Sequence, residues 1–481
     1  MDKIVLDNLV AGKPALLSGK RFDAASPFYA DYVTQAPNSG LFDVKNIASK
    51  ASAAAKDCQA LSFDERQAIL ERAARKLDAN SPKLLEYVVK MTGMPLHYAR
   101  KHMRDAANVI AHVPALVRKR LNLKTSSLHH HPVPGEDYYV NYHPLDGFLY
   151  SVTPGNDPRA TAFVAAWCAT LGIPAVIKPS KNDLMGAHAT VSAILNAGYP
   201  ESGLNLIMWD TTAADAQTKN FSLVDAASAV WAFGDDNTVD QRLRLEDKNG
   251  TRIDHFTGKT ILRHASGRGA GVCDEHADLK KSARIIAESA FEWPVACNSL
   301  KALFDASGKN GELAALIAAI TRREFAAYAG DPMKESTRVG FVEPRLLKHV
   351  NNRLCELKRL SLIKEVLPAR TLSEKQALPL LLETSDRHSE FLAEEHSLYI
   401  LAMKKCASFK EAVAELNESS GSDKRISVSV FCDNEDKVLS TYLHAHHIKR
   451  IRHSTELDVL YHEGNDYLHR LTVPQVHRKR Q

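Results

Sequence analysis

The fold class predicted by the sequence is α/β, with two Rossmann-like lobes. Two observations predict the lobes. Strand-like and helix-like segments alternate from Phe148 to Phe233, and a second alternation begins at Ser299, just after Cys297. A third observation is length: 481 residues exceed what one hydrophobic core organises.

Taken in order, Leu61 to Val113 reads as helical. Asp64-Glu-Arg-Gln opens a helix, and Ile69, Leu70, Ala73 and Leu77 recur at helical spacing. Met91-Thr-Gly-Met-Pro95 interrupts the run. From Lys124 to His143 the character changes. His129-His-His131-Pro-Val-Pro134-Gly is a polar turn, and Asp137-Tyr-Tyr-Val-Asn-Tyr142 has strand composition. Side chains alternate in direction along an extended segment, so the three histidines read as a solvated hairpin rather than a metal site.

The first alternation then runs strand Phe148–Thr153, helix Ala160–Leu171, strand Ala175–Ile177, helix Leu184–Ala197, and strands Leu204–Trp209 and Ala229–Phe233. This order implies a parallel sheet with helices on both faces, which binds ligands beyond the C-terminal ends of its strands. Three polar clusters lie there: Thr153-Pro-Gly-Asn156, Lys178-Pro-Ser-Lys181 and Gly234-Asp-Asp-Asn237. No GxGxxG fingerprint accompanies them. The uncharged run Ala160 to Ile177 approaches membrane-spanning length, but Gly172-Ile-Pro174 divides it into a helix and a strand, so it reads as buried core.

The stretch Leu262 to Leu300 organises the rest. A Gly-rich turn, Ser266-Gly-Arg-Gly-Ala-Gly271, precedes a helix over Asp278–Ala290, and the chain leaves that helix at Trp293-Pro294 to present Cys297. A thiol on a loop near backbone N–H groups suits a nucleophile. The milder reading is a small buried apolar residue. The second alternation follows: strand Ser299–Phe304, helix Glu312–Tyr328, strand Ser397–Ala402, helix Phe409–Asn417 and strand Ile426–Phe431, with strand character again at His447–Ile451.

Bulk properties exclude several classes. A net charge of +5 with short basic runs, Arg118-Lys-Arg120 and His477-Arg-Lys-Arg480, does not indicate nucleic-acid binding. Seven scattered cysteines without a CxxC pair point to a reducing compartment and no structural zinc. Met1-Asp-Lys-Ile lacks a signal sequence. A cytoplasmic protein without membrane partners is expected.

The clusters, in this order, resemble the aldehyde dehydrogenase superfamily. Pro154-Gly-Asn156-Asp-Pro158 resembles its PWNxP segment, and Val176-Ile-Lys178-Pro-Ser180 its VxKPS segment. Ala232-Phe-Gly234 is similar to part of its FTGS turn, Phe291 to Cys297 to its FxxGQxC segment, and Ala393-Glu-Glu395 to its xEEIFGP segment. Met91-Thr-Gly-Met-Pro-Leu96 and Gly330-Asp-Pro332 also fall where the family has similar residues.

The resemblance implies three parts: an NAD(P)-binding lobe over 1–123 and 144–258, a catalytic cysteine lobe over 259–445, and an oligomerisation flap and tail over 124–143 and 446–481. It implies a homo-oligomer. Cys297 would be the nucleophile, forming a thiohemiacetal and then a thioester, with Asn156 donating to the oxyanion. Lys178 would hold the adenosine ribose and Glu395 the nicotinamide ribose, and Thr153, Ser180, Lys181 and Gly234 would complete the cofactor contacts. The milder readings are a turn residue for Asn156, a solvated strand-end charge for Lys178 and a surface acid for Glu395.

The departures from the family bear on the reaction. His264 stands where hydrolytic members have the water-activating glutamate of ELGGK. A histidine can take over as base. The alternative is that the acyl group passes to a thiol such as coenzyme A, as in acyl-CoA reductase branches. Lys181 replaces a ribose-binding glutamate and so favours NADP. Asp235 replaces the FTGS serine, and repels phosphates unless it turns away to cap the following helix. Gly155 replaces the tryptophan of PWN, which widens the site. A further alternative is a degenerate member kept as a binding or scaffold protein.

Overall fold

The computed structural model describes residues 4–16, 19–77, 81–121, 128–129, 138–244, 259–265, 267–308, 311–368, 370–422, 425–434, 437, 447–450 and 471–478. They fall into two compact units. One comprises Met1–Val88, Arg100–His264 and Leu460–Gln481; the other comprises Val89–Ala99 and Ala265–Val459.

The first unit is built on a seven-stranded sheet. Its strands lie in the order Thr260–His264, Ala229–Phe233, Leu149–Thr153, Ala175–Pro179, Leu204–Leu206, Asn8–Val10 and Lys13–Ala15. The pairings from Thr260–His264 to Leu204–Leu206 are parallel. The last two strands are antiparallel additions. This hairpin has no counterpart in the sequence reading, although its turn, left-handed at Ala11 and Gly12, is a recognisable two-residue hairpin turn. The chain order reverses beside Leu149–Thr153, so the ends of that strand and of Ala229–Phe233 flank the topological switch point, where such sheets open a crevice.

Both faces of the sheet are covered, and the strands are accordingly near-continuous apolar runs. The helix Arg159–Leu171 is buried at every position. Gly172 ends it with φ of 74°, where a Cβ would meet the Arg66 guanidinium at 2.8 Å. The uncharged run is therefore core, and no helix among the described residues is long and apolar enough to cross a membrane. The strand expected over Leu204–Trp209 stops at Leu206, with Ile207 to Trp209 buried beyond it.

A three-stranded antiparallel sheet belongs to the same unit. Tyr138–Pro144 is flanked by Leu128–His129 and Thr472–Arg478, with Thr472 opposite Pro144 and Arg478 opposite Tyr138. The segments assigned to the oligomerisation flap and the tail thus pair with each other within one chain. Most of the turn read at His129-His-His131-Pro-Val-Pro134-Gly lies outside the described residues, as does the chain over 451–470.

The second unit holds a seven-stranded sheet in the order Ile363–Leu367, Leu380–Thr384, Ile400–Lys405, Leu300–Asp305, Gly269–Cys273, Ser427–Phe431 and His447–Arg450. Only its first pairing is antiparallel. The Gly-rich segment is a correction to the sequence reading. Ser266 lies outside the described residues, and Gly269–Cys273 is a fully buried inner strand rather than a turn. Glycine is needed there because neighbouring chain passes close: a Cβ on Gly269 would lie 2.4 Å from the Ser299 carbonyl oxygen.

Candidate active site

In the first unit the strand ends gather most of the residues read as cofactor contacts. Thr153 ends one strand, and its carbonyl accepts the Ser180 N–H at 3.0 Å, tying together the loops after two adjacent parallel strands. The Thr153 hydroxyl is turned inward to Thr161, 3.0 Å away. Gly155 packs into this junction, where a Cβ would come within 2.6 Å of the Ser180 hydroxyl and 2.7 Å of Asn182. The expected widening is therefore not found: Ser180 and Asn182 fill the space beside Gly155.

Lys178 is not the solvated charge of the milder reading. It is 5% exposed at the end of an entirely buried strand, with its ammonium 5.6 Å from the Trp209 ring centre. Burial lowers its pKa to about 8, and Asp210 opposes that shift. Lys178 donates no hydrogen bond to any described residue, an unusual state for a buried ammonium. Lys181 is exposed two residues after Pro179.

Gly234 leaves its strand with φ of 154° and donates its N–H to the His264 carbonyl at 3.1 Å. Asp235 turns away as a cap, accepting the Thr238 N–H at 2.8 Å and the Thr238 hydroxyl at 2.9 Å. Arg263 donates to Asp240 and Asp236, both at 2.6 Å, and so fastens the His264 strand to the turn after Gly234. The half-buried His264 ring stacks on Phe233 with centroids 4.7 Å apart.

Asn156 is half-buried on the loop after Thr153, and its neighbour Asp157 is the anchor of that loop, a role the sequence reading missed. Asp157 accepts from Arg159 Nε at 2.9 Å and Nη2 at 2.8 Å, and the buried His102 Nδ1 lies 3.6 Å away. Burial opposes the Asp157 charge, but Arg159 and His102 outweigh it and hold the carboxyl well below the usual range. The signal was an acid and a base two residues apart at a helix start.

In the second unit the helix Leu279–Phe291 ends as expected, and a turn delivers Cys297, half-buried. The Ala296 N–H bonds Trp293 O at 3.1 Å, the Ser299 N–H bonds Ala296 O at 3.0 Å, and the Ser299 hydroxyl returns to Ser289 O at 2.9 Å. Gly267 lies against this turn. A Cβ on it would be 1.6 Å from the Cys297 carbonyl oxygen. The Gly267 N–H donates to Glu395 Oε2 at 2.8 Å, and its carbonyl accepts from the Ile426 N–H at 2.9 Å. Arg425, 1% exposed, donates to the carbonyls of Arg268 and Leu392 at 3.1 and 3.0 Å. Glu395 is thus half-buried and bonded to the chain beside Cys297, not a surface acid.

The structure brings Cys297, Gly267 and Glu395 together in one unit. Asn156, His264, Thr153, Lys178, Ser180, Lys181 and Gly234 belong to the other. No disulfide joins any of the seven cysteines, and no cluster of metal-ligating groups occurs among the described residues.

Comparison with known proteins follows the same lines. The profile of the aldehyde dehydrogenase family matches residues 17–442. The chain is 26% identical over 203 residues to 5-carboxymethyl-2-hydroxymuconate semialdehyde dehydrogenase of Escherichia coli, covering 41% of this chain and 42% of that one. It is 22% identical over 322 residues to vanillin dehydrogenase of Corynebacterium glutamicum, covering 66% and 62%. Each match takes in less than two thirds of the relative. Among solved structures, the NADP complex of NADP-dependent glyceraldehyde-3-phosphate dehydrogenase from Bacillus halodurans superposes with a TM-score of 0.82 at 17% identity, over 99% of both chains. An NAD-dependent benzaldehyde dehydrogenase from Corynebacterium glutamicum gives 0.81 at 16% identity, over 98% of both chains. Identities this low establish the fold.

Proposed function

This chain belongs to the aldehyde dehydrogenase family, and from that membership we propose that it is an NAD(P)-dependent aldehyde oxidoreductase with Cys297 as covalent nucleophile. The setting of Cys297 carries the reading. It is half-buried on a turn whose backbone is held by Gly267 and, through it, Glu395. Of the other cysteines, Cys355 is exposed and the rest are buried, with burial raising the Cys58 and Cys406 thiols to about 11 and about 12.

In this mechanism the Cys297 thiolate attacks the aldehyde carbon, a C–S bond forms and charge moves to the carbonyl oxygen. The Asn156 amide and a backbone N–H near Cys297 donate to that oxygen, and loss of one such donor costs about 3 kcal/mol of barrier. Bound NAD(P) supplies the acceptor for the hydride that leaves this carbon, so that a thioester remains on Cys297. His264 then takes a proton from water as the water oxygen attacks the thioester, and the C–S bond breaks to release the acid.

The strand ends of the first unit suit a nucleotide. The buried Lys178 ammonium without a hydrogen-bond acceptor fits a ribose hydroxyl, and the exposed Lys181 fits a 2′-phosphate, which favours NADP. A second reading keeps the same acyl-enzyme and passes the acyl group to coenzyme A. It is supported by the stacking of His264 on Phe233, a setting that also suits a bystander. The strand Thr472–Arg478 forms the outer edge of its small sheet among the described residues, and pairing across that edge would make the homo-oligomer. With every cysteine outside a disulfide, the reducing cytoplasm is the compartment we assign.

The test is turnover of aldehydes with NAD or NADP, with and without coenzyme A, by wild type and Cys297→Ala. Abolished turnover with unchanged nucleotide binding and thermal melting is expected. Wild-type turnover by Cys297→Ala would overturn the mechanism, and nucleotide binding without turnover in either protein would favour a degenerate binding protein.

A further inference from the structure

The unit that carries Cys297 also buries a lysine that the mechanism above does not use. Lys301 lies on the strand Leu300–Asp305, four residues beyond Cys297, and is 1% exposed among Leu300, Ala302, Leu303 and Phe304. Both flanking strands, Gly269–Cys273 and Ile400–Lys405, are parallel to it, so the lysine sits inside the sheet. A buried amine is costly unless it is held by an acceptor. Lys301 Nζ donates to the carbonyl of Pro294. Pro294 lies in the turn over 293–296, which runs directly into the turn over 296–299 that carries Cys297, and Gly267 packs against this second turn.

No carboxylate among the described residues reaches ion-pair distance of Lys301. Glu395 acts on it over a longer range, and the neighbouring His396 is within electrostatic reach of the Lys301 charge. The chain around Cys297 is thus held at two points: by Lys301 through the Pro294 carbonyl in the turn just before it, and by the packing of Gly267, whose N–H is bonded to Glu395, against Cys297 itself.

We propose that Lys301 is a positioning residue for the Cys297 thiol, fixing through the Pro294 carbonyl the turn that leads into Cys297 and burying a cation, set against Glu395, beneath this segment of chain. The proposal rests on the reading of Cys297 as nucleophile. Burial lowers the Lys301 pKa to about 7 and Glu395 opposes the shift, while burial holds His396 near 4, so that His396 is neutral at physiological pH. Below about pH 7 the Lys301 charge favours the thiolate; above it the charge is lost, while the neutral amine still donates to Pro294.

The experiment is the rate at which iodoacetamide labels Cys297, followed peptide by peptide against pH, in wild type and Lys301→Met. Exposed Cys355 on the helix Pro344–Arg359 serves as internal reference. Wild type should show two breaks in its profile, one of them near pH 7. Lys301→Met should lose that break and label Cys297 about tenfold more slowly at about pH 6, with Cys355 unchanged. A wild-type rate and profile in Lys301→Met overturns the proposal. If the variant fails to fold, shown by labelling of buried Cys273, Cys406 and Cys432, the wild-type profile decides. Two breaks support the proposal and a single ionisation overturns it. Labelling needs neither aldehyde nor nucleotide, so it reports on Lys301 whatever turnover Cys297→Ala retains.

Discussion

Gly267 and the carbonyl of Cys297 leave no room for a side chain between them: a Cβ on Gly267 would lie 1.6 Å from that oxygen and 2.7 Å from the Cys297 Cα. The obstructing atoms are backbone, so a larger residue can be accepted only if the Cys297 turn moves. Gly267→Ala is therefore expected to displace the thiol by more than about 1 Å, which in a preorganised site costs about 100-fold in turnover. The loss should fall on kcat more than on KM for the aldehyde. Steady-state kinetics checks this, and a variant within about twofold of wild type would show that the turn has slack.

How much of this was legible in the sequence depends on the range of the contact. The alternation of strands and helices was readable because parallel strands buried on both faces are continuous apolar runs, as in Ala175-Val-Ile and Ala229-Val-Trp-Ala-Phe. Cys297 was readable because Pro294 must end the helix before it. The contact of Gly267 with Cys297 was not, because it joins two segments only after strands far apart in sequence have paired. The same holds for Val89–Ala99, which belongs to the Cys297 unit through the Gly93 carbonyl accepting the Phe341 N–H at 2.9 Å. Lys178 and Lys301 carried an overlooked sign: a single lysine inside an apolar strand is carried inward with the strand.

Lys178 gives a pH test of that burial. Its folded pKa of about 8 lies below the ordinary 10.5, so between those values the unfolded chain binds more protons than the folded one. Stability from this group therefore rises with pH from about 8 to 10.5 and is lost as pH falls towards 8. Lys178→Met lacks this dependence. Its stability relative to wild type should be greatest below about pH 8 and shrink on the order of 2–3 kcal/mol by about pH 10.5. Urea midpoints at several pH values measure it. A constant difference across that window would mean that Lys178 titrates as an ordinary exposed lysine.

Lys181 tests cofactor choice. An exposed lysine beside a 2′-phosphate contributes about 1 kcal/mol, or roughly fivefold in affinity. Lys181→Glu should reverse the preference from NADP towards NAD by about that factor or somewhat more, because it replaces attraction with repulsion. Fluorescence titration with both nucleotides reads this directly. Tighter binding of NAD than NADP by wild type would refute the assignment.

His264 decides the fate of the acyl group. As a base it must be neutral, so breakdown of the thioester should rise with pH through the imidazole titration. His264→Ala should then still allow Cys297 to be acylated, with one burst of reduced nucleotide, but should slow hydrolysis by about 100-fold. The stacking of His264 on Phe233 at 4.7 Å offers the other outcome, a ring that packs and does no proton transfer. In that case His264→Ala turns over like wild type and coenzyme A accelerates both, which makes a thiol the acceptor. The burst separates the cases because it counts acylated Cys297 without needing the second step. A wild-type hydrolysis rate that stays flat from about pH 5 to 8 would remove His264 from the reaction.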